Sequence, residues 1–350
     1  MSLSVHIKKQ LGSFRLETDL EAGNEVLALL GASGCGKSVT LRAVAGILTP
    51  DEGRIVLDGR VLFDSEHHIN LTPQQRRVGY LFQQYALFPN MTVRQNIAVA
   101  IRDRNRRDSA VTEKLRTFRL EEVADKLPSQ ISGGQQQRAA LARILVSEPE
   151  AILLDEPFSA LDSYLKYQLE LELSSLLSSF PGTVLWVSHD RGEVFRNCGR
   201  VCIMDRGKSQ PVESLEELFR NPGTESAARL SGCKNFASAL PRGDRIELPD
   251  WHCTLFCGRP VSDDISVAGI RSHHVRPAAG GEMNSLPCSV ERVIDDVFGV
   301  IVLLRPTGAE TDAPLLRMEL SKEAWRTLRG TTNLTVSIAP EDILLLKANS

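Results

Sequence analysis

Gly31 to Ser38 read GASGCGKS, directly after the apolar run VLALL at Val26 to Leu30. This is the G-x-x-x-x-G-K-[ST] spacing of a phosphate-binding loop set between a buried strand and a helix. Each residue type has a task. Gly31, Gly34 and Gly36 let the backbone curl so that N–H groups face phosphate oxygens, Lys37 neutralises the β and γ phosphates, and the Ser38 hydroxyl can ligate Mg²⁺. Ala32, Ser33, Cys35 and Val39 complete the expected cradle. The apolar positions Leu41, Val44, Ala45 and Leu48 then recur at helical spacing, so a βα unit of an α/β fold is expected, its loop holding a nucleotide with Mg²⁺.

Two further apolar runs repeat the buried-strand pattern. Ala151 to Leu154 end in Asp155-Glu156, and Thr183 to Val187 end in Ser188-His189. An open parallel sheet places its chemistry at such strand ends. Asp155 is placed to hold the Mg²⁺ shell, while Glu156, one residue later, can polarise an attacking water as general base. Upstream, Leu3, Val5, Ile7, Phe14 and Leu16 alternate as in strands with one buried face. From about Val93 to Val146 the texture is helical and charged, including RDRNRRD at Arg102 to Asp108, which reads as an inserted helical subdomain with a solvated face.

Ile131 to Arg138 read ISGGQQQR, followed by the apolar-periodic stretch Ala139 to Val146. The string resembles the signature of ATP-binding-cassette ATPases. Ser132 and the N–H groups of Gly133, Gly134 and Gln135 would form a second anion site at a helix start. The resemblance implies that the signature of one subunit closes over the ATP held by the other, so a homodimer is expected. Other family motifs follow in order. Gln83, in VGYLFQ, resembles the glutamine that touches Mg²⁺ or water, SALD at Ser159 to Asp162 resembles the loop that crosses to the partner, and His189, in VSHD, resembles the switch histidine that contacts the γ-phosphate. With Glu156, His189 and Gln83 make up the implied catalytic set; Ser38, Gln83 and Asp155 make up the implied metal set. The resemblance covers roughly residues 1 to 220. It departs from the family at one place: Leu11 precedes Gly12 where an aromatic residue often stacks on adenine, with Phe14 as the available substitute.

FQQYALFPNMTVRQNIAVAI at Phe82 to Ile101 and DEPFSALDS at Asp155 to Ser163, with a β-rich tail, look like ATPase subunits of bacterial importers. GRIVLDGRVLFDS and LTPQQRRVGYLFQ, at Gly53 to Ser65 and Leu71 to Gln83, look most like molybdate importers, with sulfate importers close behind. The expected fold is α/β: an ABC-type P-loop ATPase domain over residues 1–225 with a helical subdomain at about 88–146. A small β-barrel domain, OB-like of the TOBE or MOP kind, is expected over residues 226–350. The implied activity is hydrolysis of ATP to ADP and phosphate, energising import of a small solute, either molybdate or tungstate; alternatives are sulfate or another small solute, or a soluble cassette ATPase outside transport. The implied partners are transmembrane permease subunits and, indirectly, an external solute-binding protein.

The 350 residues carry a net charge of -3, which gives no basic excess to draw the chain to nucleic acid. The N-terminus MSLSVHIKKQ has no apolar h-region, so no signal peptide is expected, and the place of action is the cytoplasmic face of the membrane. The seven cysteines lack paired CxxC spacing and read as reduced thiols. Two finer expectations follow. A helical stretch around Tyr85 to Asn96, carrying Leu87, Phe88 and Met91, is expected to receive the permease. In the tail, SHH flanked by Arg271 and Arg276 is expected to offer donors to a tetrahedral oxyanion.

Overall fold

The computed structural model describes residues 2–101, 103, 105–159, 163–278 and 281–348. The chain divides into two compact units, Met1–Leu215 and Glu216–Ser350.

In the first unit, the alternating segments form β1 (Leu3–Leu11) and β2 (Phe14–Ala22), a hairpin that pairs from Leu3 opposite Ala22 to Leu11 opposite Phe14. β3 (Val26–Gly31) runs into the phosphate-binding loop and α1 (Lys37–Ala45). β4 (Glu52–Leu57), β5 (Arg60–Asp64) and β6 (Ile69–Asn70) extend the β1 edge, and α2 (Pro73–Arg76) precedes β7 (Val78–Leu81). The inserted segment contains α3 (Val93–Ala98), α4 (Arg107–Thr117) and α5 (Gly133–Leu145). There follow β8 (Ala151–Asp155), α6 (Ser163–Ser178), β9 (Thr183–Ser188), α7 (Arg191–Asn197), β10 (Arg200–Asp205), β11 (Lys208–Ser209) and β12 (Glu213–Ser214).

One sheet joins these strands in the order β6-β5-β4-β1-β2-β11-β10-β3-β9-β8-β7, with β12 beside β10. From β10 to β7 the strands are parallel and buried on both faces, which is why they read as unbroken apolar runs. Their register sets Leu30 opposite Ser188, Asp155 opposite Val187 and Leu81 opposite Leu154. The phosphate loop, both acidic residues and the histidine turn therefore leave the sheet along one edge.

One local reading needs correction. Tyr85 to Thr92 form turns rather than helix: Tyr85 and Ala86 take positive φ (58° and 46°), and α3 starts only at Val93, behind a Thr92–Gln95 capping box. Arg143 holds these turns by donating to the Ala86 and Tyr85 carbonyls at 2.8 and 3.1 Å, and buried Asn96 donates to the carbonyls of Phe88, Met91 and Thr92. Phe88 is 46% exposed on this loop. The signature helix starts at Gly133 with Ser132 as its cap, at the helix start expected for it.

The second unit opens with α8 (Leu215–Arg220) and α9 (Glu225–Leu230) and continues as the small OB-like β domain. β13 (Asn235–Ser238) begins three antiparallel sheets with β14 (Leu240–Arg242), β15 (Arg245–Leu248), β16 (Cys253–Phe256), β17 (Val267–Ile270), β18 (Arg276–Pro277), β19 (Ser285–Asp295), β20 (Gly299–Pro306) and β21 (Leu316–Ser321). After α10 (Lys322–Arg326) come β22 (Asn333–Ser337) and β23 (Ile343–Leu346). The sheet orders are β13-β17-β23, β14-β15-β16 and β18-β22-β19-β20-β21. Trp251 is fully buried in the core and donates its indole N–H to the Pro314 carbonyl at 2.8 Å.

Arg271 does not serve the oxyanion expectation. Its guanidinium is buried and donates to the carbonyls of Ser231 and Phe219 and to the Ser231 hydroxyl. The Asp342 carboxylate lies 3.0 Å from His274 Nδ1 and 4.0 Å from Arg276, so an anion at SHH would meet a carboxylate. Burial, ahead of the opposing pull of Asp342, holds the His274 imidazole below the usual histidine range.

Arg76 ties the phosphate-loop helix into the first unit. Fully buried, it donates to the carbonyls of Ala43 and Val44 at the end of α1, to the Leu71 carbonyl and to Asn70 Oδ1. Burial lowers its pKa to about 10, so it stays charged at neutral pH and meets the negative end of the α1 dipole. Arg76→Met is therefore expected to lose about 2–3 kcal/mol of stability, because the carbonyls are left without their donor. Urea unfolding checks this; a loss below about 0.5 kcal/mol, the size of an ordinary surface substitution, would mean the guanidinium is not holding α1.

Candidate functional site

The phosphate loop fits no other first residue than glycine. A Cβ on Gly31 would lie 2.3 Å from the Met204 carbonyl oxygen and 2.5 Å from Cys35 Sγ. Gly34 and Gly36 have φ of 79° and 110°, and a Cβ on Gly36 would lie 2.6 Å from Leu16. Between them the loop exposes Ala32, Ser33 and Gly34, while Cys35 turns inward, where burial pushes its thiol up. Val39 packs against the core. Lys37 is buried, and its Nζ donates to the carbonyls of Gly31 and Ala32 at 2.7 and 2.9 Å. The ammonium is thus held over the loop whose N–H groups would cradle phosphate.

Ser38 reaches across to β8, donating from Oγ to Asp155 Oδ1 at 2.7 Å. The other Asp155 oxygen accepts from the Tyr80 hydroxyl on β7, also at 2.7 Å. Burial, then the Asp155 charge, push the Tyr80 phenol well above the usual tyrosine range, so it stays a donor. Ser38 and Asp155 are hard oxygen donors side by side, a set that fits Mg²⁺. Gln83 is exposed in the turn that follows β7.

Glu156 follows in a left-handed conformation, φ 48°, which costs about 1–2 kcal/mol for a residue with a Cβ. Its N–H donates to the Val187 carbonyl at 3.0 Å, and its carboxylate Oε1 stands 3.2 Å from His189 Nδ1. Glu156, Ser159, Lys166, Ser188, His189 and Glu193 line a cavity of about 150 Å³.

The histidine turn is held from behind. Lys166 of α6 bridges Asp190 Oδ2 and Glu193 Oε1, each at 2.6 Å, and Ser188 donates to the other Glu193 oxygen at 2.7 Å. Asp190 caps α7 by accepting from Gly192 and Glu193. Burial opposes the charge on Lys166, but the hydrogen bonds of Asp190 and Glu193 prevail and raise its pKa. Tyr80 and Lys166 escaped the sequence reading. Tyr80 carried a weak signal, a hydroxyl within the apolar strand VGYL; Lys166 carried none, since its partners lie more than twenty residues away.

The signature residues sit at the head of α5, which packs on α3, α4 and β7. Ser132 Oγ accepts from the Gln135 N–H, and Gln135 Oε1 accepts from the Ser132 N–H, so two of the helix's free donors are satisfied in the cap. Gly133 and Gly134 carry no side chain to screen the remaining N–H groups. Ala160 to Asp162 of the SALD string lie outside the described residues.

Known proteins resemble this chain in sequence and fold. The family model described as ABC transporter matches residues 15–159. The sulfate/thiosulfate import ATP-binding protein CysA of Halalkalibacterium halodurans is 32% identical over 352 residues, taking in 97% of this chain and 96% of the relative. The molybdenum import ATP-binding protein ModC of Paramagnetospirillum magneticum is 39% identical over 223 residues, 63% of this chain and 61% of the relative. Among solved structures, the dimeric ATP-binding cassette MJ0796 in a post-hydrolysis state with ADP and Pi aligns with a TM-score of 0.52 at 29% identity, covering 61% of this chain and 99% of the cassette.

Removing Lys166 leaves the buried Glu193 carboxylate without its cation. Lys166→Met is expected to cost about 3 kcal/mol in urea unfolding, and Lys166→Arg to restore most of it. Since the folded pKa of Lys166 is raised, the contribution is fully present below the ordinary lysine range and fades only as pH climbs through the raised value. A mutational loss that persists undiminished as pH climbs through the raised lysine value would contradict the assignment.

Proposed function

We propose the function from one premise: the chain belongs to the ABC transporter family, among its import ATP-binding proteins. As such it binds ATP, is an ATPase coupled to import, and works with membrane permease partners.

The residue roles are our reading of the sheet-edge geometry. Lys37 and the N–H groups of the loop from Gly31 to Val39 hold the ATP phosphates. Ser38, Asp155 and, from its turn, Gln83 would hold Mg²⁺, which supplies positive charge to the phosphate oxygens. Glu156 takes a proton from water; the water oxygen bonds to the γ-phosphorus as the bond to the ADP oxygen breaks. His189, beside Glu156, contacts the γ-phosphate. Ser132 to Gln135 meet the ATP of a second copy, so that two chains enclose two nucleotides; the dimeric form of the similar MJ0796 cassette supports this. Among the described residues no helix is long and apolar enough to cross a membrane, and the proposed place of the pair is against the permease on the cytoplasmic face. The exposed loop at Phe88 is the proposed docking surface.

The proposed solute is a small tetrahedral oxyanion, molybdate or tungstate, with sulfate as its alternative. The observation that carries it is similarity over nearly the whole chain to a sulfate/thiosulfate import protein, joined by similarity of the ATPase unit to a molybdenum import protein. Delivery by an external binding protein belongs to the same proposal.

Two experiments test the reading. Glu156→Gln is expected to keep ATP binding and to lose about 10²–10⁴ in turnover, the worth of a general base; phosphate release near the parental rate would reject Glu156 in that role. In vesicles holding the chain with its permease and binding protein, molybdate or sulfate is expected to accelerate phosphate release and to accumulate inside. Acceleration by a cationic solute alone would overturn the oxyanion assignment.

A further inference from the structure

Away from the nucleotide edge, the end of α4 and the facing sides of α5 and α6 enclose a cleft of about 360 Å³. That is the size range of small-molecule sites, roughly 300–1,000 Å³. Phe118, Leu141, Leu169 and Leu173 line it and are each exposed by 4% or less, beside the polar side chains of Thr117, Gln137, Arg138 and Ser175. Arg119 and Glu172 face each other at 3.9 Å on its rim.

One polar side chain in the wall is buried without a partner. Gln137 of α5 is 1% exposed, and neither its Oε1 nor its Nε2 has a hydrogen-bond partner; the neighbouring Arg138 Nε is also buried and unmatched. A buried amide left unmatched costs about 1–3 kcal/mol. Two residues that line a cleft of ligand size thus hold three buried polar atoms without partners, on a helix whose remaining buried positions are alanine, leucine, isoleucine and glycine.

We propose that this cleft binds a small uncharged molecule with an apolar body and a carboxamide or lactam edge. Such an edge has one donor and one acceptor side by side. Its N–H donates to Gln137 Oε1, and its carbonyl accepts from Gln137 Nε2 and, through the second lone pair, from Arg138 Nε. A carboxylate would leave Gln137 Oε1 without a donor, and an ammonium would face the Arg138 guanidinium. Water could satisfy the amide, yet it would wet four apolar side chains that a ring or branched chain would dry.

The test uses the full chain with labelled leucine methyl groups and two probes, benzamide and ethylbenzene. Benzamide is expected to shift the methyl signals of Leu141, Leu169 and Leu173 saturably, and ethylbenzene, which lacks the amide edge, to bind about tenfold more weakly, the worth of one or two net hydrogen bonds. Leu176→Trp, which fills the cleft from α6, is expected to abolish the saturable shift, and Gln137→Leu, which removes the amide, to weaken benzamide about tenfold, to the level of ethylbenzene. Absence of saturation in the parent, equal affinity for the two probes, or, in folded protein, a shift that survives Leu176→Trp or a benzamide affinity unchanged by Gln137→Leu would overturn the proposal. None of these readings depends on turnover, so they stand or fall apart from the roles given to the nucleotide edge.

Discussion

A carboxylate buried at the end of a central parallel strand must find donors, and the rest of the nucleotide edge is arranged around the two that Asp155 finds. Ser38 supplies one from the first turn of α1, and Tyr80 supplies the other from β7. The pair of bonds links three segments that are distant in sequence, the phosphate loop, the strand before Gln83 and the strand before Glu156. Ser38 can adopt this position only because the loop curls through glycines that touch the Met204 carbonyl and Leu16. Glu156 pays for its place beyond Asp155 with a left-handed backbone, stabilised by its N–H bond to Val187, and that twist aims its carboxylate at His189.

Around that centre the unit keeps buried charges where a backbone or an opposite charge can answer them. Arg76 is answered by four acceptors, two of them carbonyls at the end of the helix that begins with Lys37. Glu193 is answered by Lys166 and Ser188, and Glu170 of the same α6 takes a bidentate pair of bonds from Arg196 of α7. Removal of one member of such a set exposes the full desolvation cost of the other. α6 and α7 are thereby clamped at two points, and the clamp nearer the sheet is the one that fixes the turn bearing His189.

What could be read from the sequence was what is encoded within a few neighbouring residues. The phosphate loop, the acidic pair and the serine cap of α5 are local patterns, and their strands are long apolar runs. Tyr80, Lys166 and Arg76 act through partners far along the chain, which no window of sequence brings together. Leu87, Phe88 and Met91 mimic a helical period, yet Tyr85 to Thr92 form turns. Their shape comes instead from Arg143, more than fifty residues later, and from the side chain of Asn96. Gln137 is the converse case: within a string read as a family signature, nothing marks the third glutamine as a buried amide without a partner.

The tail shows the same principle at its sharpest. Positive charge near histidines suggested an anion pocket in the sequence, yet a guanidinium serves a ligand only if its donors are free to turn toward one. In Arg271 they point at the carbonyls of Ser231 and Phe219, and they join the end of α9 to α8. His274, for its part, faces Asp342, whose charge would oppose an incoming oxyanion at the same spot. Residues of the expected pocket therefore hold the second unit together. Arg271, His274 and Asp342 thus offer the proposed oxyanion no open set of donors in this unit.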